Sequence, residues 1–309
     1  MKNVKRVVVV MGGPSAEAEV SMATGSAIAK ALRTKDYYEV IELKLDPKNF
    51  TNDIIALKPD LVFNAVHGLY GEDGRLQSVL DMLEIPYTGS NVIASAVAMD
   101  KVISKKIFIA DNICTPKSLF LNIKDKSDFK ALILEKFTLP IVVKPASQGS
   151  SIGVEIVKTE DRLILALEEA FKYCDDVLVE EFITGYELTA SVLKEKDALI
   201  VFPVIKIVPN SGVYDYKSKY TKGSTSYLCP APISKQITEK VQQMAIDAYK
   251  SLGCAGVARA DFIVDKKENI FILEVNTVPG MTATSLVPKA AKTMGIEFED
   301  LCDRIIKAI

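Results

Sequence analysis

A chain of 309 residues, 49% of them hydrophobic, is long enough to bury more than one core and reads as a globular enzyme of two or three packed units. Its 38 basic and 40 acidic residues leave a formal charge of −2, which excludes the basic surplus of nucleic-acid binders and favours small-molecule partners. No run approaches membrane-spanning length, the apolar VVVVM after MKNVKR is too short for a signal peptide, and five scattered cysteines without a CxxC indicate neither disulfides nor zinc, so a cytoplasmic protein is expected.

From Arg6 to Met11 a β-branched run ends at Gly12-Gly13, and a helical pattern follows from about Glu17 to Leu32. Strands around Val40–Leu43 and Leu61–Ala65, with helices near Leu76–Glu84 and Ile93–Ala110, continue the alternation of an α/β layer, assigned to residues 1–101. The single histidine, His67, follows LVFNAV and precedes GLYGEDG. That places it at the carboxyl end of a parallel strand, level with the Gly12-Gly13 loop, where α/β sheets bind ligands, although a lone histidine is as a rule structural. Glu17, at the start of the first helix, suits a helix cap as well as a salt bridge to a substrate ammonium.

After Thr115-Pro116 come a strand at Pro140–Lys144, a glycine-serine loop, a strand at Val154–Val157, a helix over Asp161–Tyr173 and a strand at Val177–Phe182, an α+β unit assigned to residues 102–186. In VVKPASQGSSIGVEIV, Lys144 ends a strand and Gly149, Ser150, Ser151 and Gly153 follow; no GxxxxGK[ST] is present. Small side chains let backbone donors approach phosphates, as they also permit an ordinary hairpin turn. Lys144 needs a partner for its charge, a nucleotide phosphate being one, or else snorkels to solvent. Glu180, Glu181 and Glu187 are acceptors suited to an adenine amino group and ribose hydroxyls, or simply exposed charges.

Residues 187–309 carry further strands around the polar segment Ser211–Ser226, a helix over Ser234–Leu252, a hairpin and a final helix. In the hairpin, ARADFIV and IFILEVN flank DKKEN. Symmetric pairing sets Asp261 opposite Glu274 and Arg259 opposite Asn276, all on one face, with Phe262, Val264, Phe271, Leu273 and Val275 on the other. Two carboxylates and an amide oxygen without histidine or cysteine suit a hard cation such as magnesium, and an arginine beside them suits a developing oxyanion. A solvated face with cross-strand salt bridges is the competing reading. The following NTVPGMTATS offers either an anion-binding turn or a tight turn with a helix cap.

Together these segments resemble the D-alanine:D-alanine ligase family of the ATP-grasp superfamily, from GGPSAEAEVS through NAVHGLYGEDGRLQ, IPYTGSNVIASAVAMDK, VVKPASQGSSIGV, VYDYKSKY, CPAPI and ARADF to EVNTVPGMT, in the family's order and spacing. The resemblance implies a three-domain fold, an N-terminal parallel α/β domain (1–101) followed by two α+β subdomains (102–186 and 187–309) that clasp ATP. Lys101, Lys144, Ser151, Glu180, Glu181, Ile183, Glu187 and Tyr214 match ATP-binding positions; Asp261, Glu274 and Asn276 match the ligands of two magnesium ions, replaceable by manganese. Glu17, with Ser150 and Tyr220, matches the group that orients the ammonium of a first D-alanine, and His67 matches a residue beside that substrate's carboxylate. Arg259 and the backbone of Gly280 match the oxyanion-stabilising pair, while Lys219, Ser285 and Leu286 match contacts to phosphate or the second substrate.

The implied reaction joins two D-alanines through an acyl phosphate with release of ADP and phosphate, for peptidoglycan precursors, in a homodimeric cytoplasmic enzyme. Segment 211–226 is the expected lid against water, and its Tyr220 favours an amine over D-lactate as the second substrate. Glu181 departs from relatives that carry lysine there. The rival readings are a D-alanine:D-serine or depsipeptide ligase and, from another class, a nucleotide-binding regulator without turnover.

Overall fold

The computed structural model describes residues 4–125, 128–210, 221 and 223–309. It opens on three parallel strands, β1 (Lys5–Gly12) between β2 (Tyr38–Leu45) and β3 (Leu61–Asn64). Strand period divides the valine run between two cores. Val7, Val9 and Met11 pack against Ile28, Ala29 and Leu32 of α1 (Ala18–Leu32), whereas Val8 and Val10 meet Phe50 and Ile54 of α2 (Phe50–Leu57) and Leu76 and Leu80 of α3 (Arg75–Met82). The eight-residue α2 was not anticipated; it is too short to show a helical period clearly.

The helix expected over 93–110 is two, α4 (Val92–Met99) and α5 (Lys101–Ala110). Asp100 breaks it: its backbone is extended and its carboxylate accepts from the N–H groups of Val102 and Ile103, which caps α5. Lys101 thereby becomes the first residue of a helix, with its own N–H donated to Ala146 O at 2.9 Å.

A four-stranded antiparallel sheet follows, built from β4 (Ser118–Asn122), β5 (Ile141–Pro145), β6 (Glu155–Val157) and β7 (Asp176–Glu181) in the order β4-β7-β5-β6. α6 (Phe129–Lys136) and α7 (Glu160–Phe171) cover one face through Ile133, Leu163 and Leu167 on Ile141, Val143 and Val179. Neither β4 nor α6 was expected from the sequence.

The largest sheet contains β8 (Gly185–Glu195), β9 (Ala198–Val201), β10 (Ile205–Pro209), β11 (Thr225–Leu228), β12 (Val257–Asp265) and β13 (Ile270–Asn276), in the order β11-β10-β8-β12-β13 with β9 also on β8. α8 (Lys235–Ser251) covers it through Ile237, Val241 and Ala245. The expected final helix is again two, α9 (Leu286–Thr293) and α10 (Phe298–Lys307), separated at Gly295, whose φ of 76° a helix cannot continue. Leu193 and Val257 of this sheet and Val287 and Ile305 of these helices share one core with Val7, Val9 and Ile28, so the first and third sheets are packed together.

The expected lid, 211–226, lies for the most part outside the described residues, and with it Tyr214, Lys219 and Tyr220. Its last two residues belong instead to β11, where Thr225 pairs with Pro209 and Ser226 with Val208. Among the described residues no helix is long and apolar enough to cross a membrane.

The hairpin keeps the expected site register, Arg259 opposite Asn276 and Asp261 opposite Glu274. Beyond Asp261 a bulge shifts the pairing, so Phe262 faces Ile272 and Val264 faces Ile270. The buried face of β13 is therefore Ile270, Ile272 and Val275; Phe271 and Leu273, expected there, are only partly buried.

Gly25 lets α1 lie close on β1, for an added Cβ would come within 2.5 Å of Met11 Cβ. Gly25→Ala should lower the free energy of unfolding, because overpacking at so close a contact, about 3 kcal/mol, outweighs the gain of about 1 kcal/mol in helix propensity. A urea midpoint equal to or above that of the parent would contradict this close packing.

Candidate active site

The polar face of the hairpin is internally bonded. Arg259 donates Nε to Asp261 Oδ1 at 2.9 Å and an NH2 group to Oδ2 at 2.8 Å, a two-point grip that fixes the guanidinium plane. Thr189 of the adjoining β8 donates to Asp261 Oδ1 at 2.6 Å and Asn276 Nδ2 to Oδ2 at 3.1 Å. Glu274 meets Lys101 Nζ at 3.2 Å, and that ammonium also donates to Gln148 O at 2.7 Å.

This face opens on a cleft of about 410 Å³ whose far wall comes from the loops after β1 and β3. Glu17 does not cap α1 with its side chain; its carboxylate accepts a short hydrogen bond from Ser150 Oγ. Gly149 makes room for that contact, since a Cβ there would stand 2.4 Å from Glu17 Oε2. Ser150 and Ser151 adopt φ of 53° and 59°, left-handed values uncommon for serine and costly enough to mark a constrained loop.

His67 is buried with both ring nitrogens engaged, Nδ1 with Val278 O and Nε2 with Thr24 Oγ1, each at 2.9 Å. A carbonyl only accepts, so Nδ1 carries the proton and Nε2 accepts from the threonine. Burial, helped by Arg259, keeps the imidazole below its ordinary value against the pull of Glu17, so it is neutral near pH 7. Glu72 accepts from Gly68 N at 2.9 Å and from Val278 N at 3.3 Å. Burial and the neighbouring Glu17 carboxylate push Glu72 up to about 8. Both ends of the Val278 residue are thus held by the GLYGEDG loop and its histidine.

On the inner side of the four-stranded sheet, Lys144 and Lys105 converge on Glu180, each ammonium 2.5 Å from a different carboxylate oxygen. Burial, the largest influence, would raise Glu180, but the two ammoniums outweigh it and hold the carboxyl below the usual range. Glu181 accepts from Lys117 N at 2.8 Å and Glu187 lies on β8 opposite Ile207 and Ile263. Ile183 stands in the loop between β7 and β8, and Ser151 in the turn after Ser150. At the opposite end, Ser285 stands just before α9 without a side-chain capping bond; its Oγ accepts from Thr282 N at 2.9 Å and would lie 3.0 Å from a Cβ added at Gly280.

The cleft brings together Glu17, His67, Ser150, Arg259, Glu274, Asn276, Gly280, Ser285 and Leu286. Lys101 lines an adjoining recess that shares Gly149, Glu274 and Asn276 with it. Asp261, Lys144 and Glu180 do not line this cleft; Asp261 is tied to Arg259 and Thr189, and Glu180 to Lys144 and Lys105. Glu72, Lys105, Thr115 and Thr189 escaped the sequence reading. Glu72 was detectable from its place five residues after His67 in a glycine loop, whereas Lys105, in ISKKIF, carries no sign of burial.

The donor set fits magnesium: two opposed carboxylates and an amide, all oxygen. Among the described residues no group of three or more His, Cys, Asp or Glu could hold a metal, so an ion here would complete its shell with the amide, phosphate and water.

Solved structures share the whole fold. The crystal structure of a D-alanine–D-alanine ligase from Bacillus anthracis complexed with ATP matches with a TM-score of 0.85 at 36% identity, covering 99% of this chain and 97% of that one. The VanG D-Ala:D-Ser ligase from Enterococcus faecalis matches at 0.86 and 31%, covering 99% and 100%. The architecture is that of the ATP-grasp ligases. Models described as D-ala D-ala ligase N-terminus and C-terminus match residues 44–90 and 116–307. The D-alanine–D-alanine ligase of Pelotomaculum thermopropionicum is 47% identical over 98% of this chain and 96% of its own length, and that of Carboxydothermus hydrogenoformans 43% over 97% of each. The chain belongs to the D-alanine–D-alanine ligase family.

Because Glu72 lies above its ordinary value in the fold, its stabilising contribution is complete below about pH 4 and is lost as pH rises to about 8. Urea unfolding at about pH 5 and about pH 8 should show a smaller loss of stability over that interval in Glu72→Gln than in the parent. Equal losses would mean that Glu72 titrates normally.

Proposed function

We propose that the chain is an ATP-dependent ligase that joins two D-alanine molecules into D-alanyl-D-alanine, releasing ADP and phosphate, for peptidoglycan precursors. The observation that carries this reading is one cleft with the Glu17–Ser150 pair on one wall and Arg259, Glu274 and Asn276 on the other. An ammonium binds at the first, and phosphate and oxyanion charge gathers at the second. The units proposed to clasp the nucleotide are residues 102–186 and 187–309, with 1–101 holding the first substrate.

Glu17 holds the ammonium of the first D-alanine, kept in place by Ser150 Oγ, and directs the carboxylate toward the γ-phosphorus of ATP. The carboxylate oxygen forms a bond to phosphorus, ADP leaves, and the acyl phosphate makes a poor electrophile reactive. Lys101 and Lys144 neutralise phosphate charge, and Glu180, Glu181, Ile183, Glu187 and Ser151 surround the nucleotide. Magnesium held by Asp261, Glu274 and Asn276, as two ions or as manganese in its place, would offset the remaining phosphate charge. The amine of a second D-alanine, bounded by Ser285 and Leu286, attacks the carbonyl carbon. Arg259 and Gly280 N–H stabilise the tetrahedral oxyanion, which collapses by expelling phosphate. His67, with both nitrogens engaged, borders the first carboxylate and holds Val278. Tyr214, Lys219 and Tyr220, from the segment outside the described residues, are proposed to complete the nucleotide and substrate sites as a lid. The enzyme is proposed to act as a homodimer in the cytoplasm.

Incubation with ATP, magnesium and D-alanine should yield phosphate and the D-alanyl dipeptide, identified by mass, with D-serine and D-lactate mixtures as controls. A product formed only with D-serine as second partner would move the assignment to the chemistry named for the Enterococcus relative, and no phosphate with any D-amino acid would end it. In an active preparation Arg259→Met should lower kcat by about 10²–10³, the scale of losing an oxyanion donor. Glu274→Gln should abolish magnesium-dependent turnover; near-full activity would remove the metal assignment.

A further inference from the structure

Lys105 is 0% exposed, one of the largest side chains enclosed so completely among the described residues. An ammonium in such a place is costly unless paired and hydrogen-bonded. Its partners come from different parts of the fold. It lies 2.5 Å from Glu180 Oε1 and donates to Thr115 Oγ1 at 2.7 Å, and that hydroxyl donates to Ile272 O of β13 at 2.9 Å. The other oxygen of Glu180 is taken by Lys144.

Two ammoniums therefore share one carboxylate, itself 2% exposed, and the group carries one excess positive charge. Burial lowers Lys105 to about 8, against the pull of Glu180, which leaves it protonated at neutral pH. Glu181 acts on Lys105 only as the least of the charges around it: successive strand residues point to opposite faces, and its carboxylate is bonded to the Lys117 N–H. Had Lys144 faced Glu180 alone, the pair would be neutral and Lys144 would be fully committed to it.

We propose that Lys105 is a positioning residue: it neutralises Glu180 from wholly inside the protein and so leaves Lys144 with a net positive charge to present to nucleotide phosphate. This rests on the proposed reading of the chain as an ATP-dependent ligase with Lys144 at the nucleotide phosphates. Lys105 touches no nucleotide; its effect passes through Glu180 and Lys144. A unit charge about 12 Å from an anion, at the effective dielectric constant of about 20 that applies near a protein surface, changes its affinity on the order of tenfold.

The test compares binding of ATP and of adenosine to the full-length protein by calorimetry, since adenosine carries the base and sugar without the phosphates. In Lys105→Met, the ratio of ATP to adenosine affinity should fall on the order of tenfold, and KM for ATP should rise more than kcat falls. Glu180→Gln should raise the ratio, and adding Lys105→Met to it should bring the ratio back toward that of the parent, because the excess charge is again one. If Lys105→Met alone does not fold, the pair of variants on the Gln background makes the same comparison. A ratio unaffected by loss of Lys105 in a folded variant overturns the proposal, as does an equal loss of ATP and adenosine affinity, which a merely structural pin would cause. A parent that neither binds ATP nor turns over D-alanine would instead overturn the ligase reading, a result that these variants do not affect.

Discussion

The cleft exists because one residue, Val278, is gripped from both sides by the first α/β layer. Its N–H is received by Glu72 and its carbonyl by His67, and both acceptor and donor stand on the loop that follows β3. This junction is backed by a core in which Ile28 of α1, Leu193 and Val257 of the large sheet and Ile305 of α10 are packed together. With the two layers fixed in this way, Glu17 faces the hairpin, and Gly280, two residues beyond Val278, faces the same space. Burial of polar atoms at such a joint is tolerable only because each has a partner, and the imidazole pays no charge penalty while it is neutral.

Charge in the site is arranged by the same rule. Asp261 is received by Arg259, Thr189 and Asn276, Glu274 by Lys101, and Glu180 by Lys144 and Lys105. Ion pairs at this depth are weak sources of stability, because desolvation opposes their attraction. Their value is in orientation: a guanidinium bonded at two points and a carboxylate bonded at both oxygens hold fixed dipoles and charges, with little left to reorganise.

Much of the site was legible in the residues themselves. Strand alternation and the DKKEN turn were sufficient to oppose Asp261 to Glu274 and Arg259 to Asn276, and the register in the fold agrees. The opposite face of the same hairpin was misread because one bulge exchanges which residues point inward, putting Ile272 in the core where Leu273 was expected. A bulge leaves no periodic trace, since it interrupts the period that would reveal it. Likewise Asp100 reads as one polar residue among several in a long helix until its carboxylate is seen capping the next turn.

What the sequence by itself determined is the chemistry on offer: oxygen ligands without histidine or cysteine, small residues around Ser150, and acids and lysines at strand ends. Local spacing carries that information, because neighbours in a strand or turn have their relative placement set by backbone geometry. Only the tertiary structure decided which of these groups meet. Glu17 and Ser150 are 133 residues apart, His67 and Val278 are 211, and Lys105 and Glu180 are 75. No period in the chain encodes such distances. They are set by the packing of three sheets, which is also what turned Lys105, an ordinary surface charge by its spelling, into a wholly buried cation.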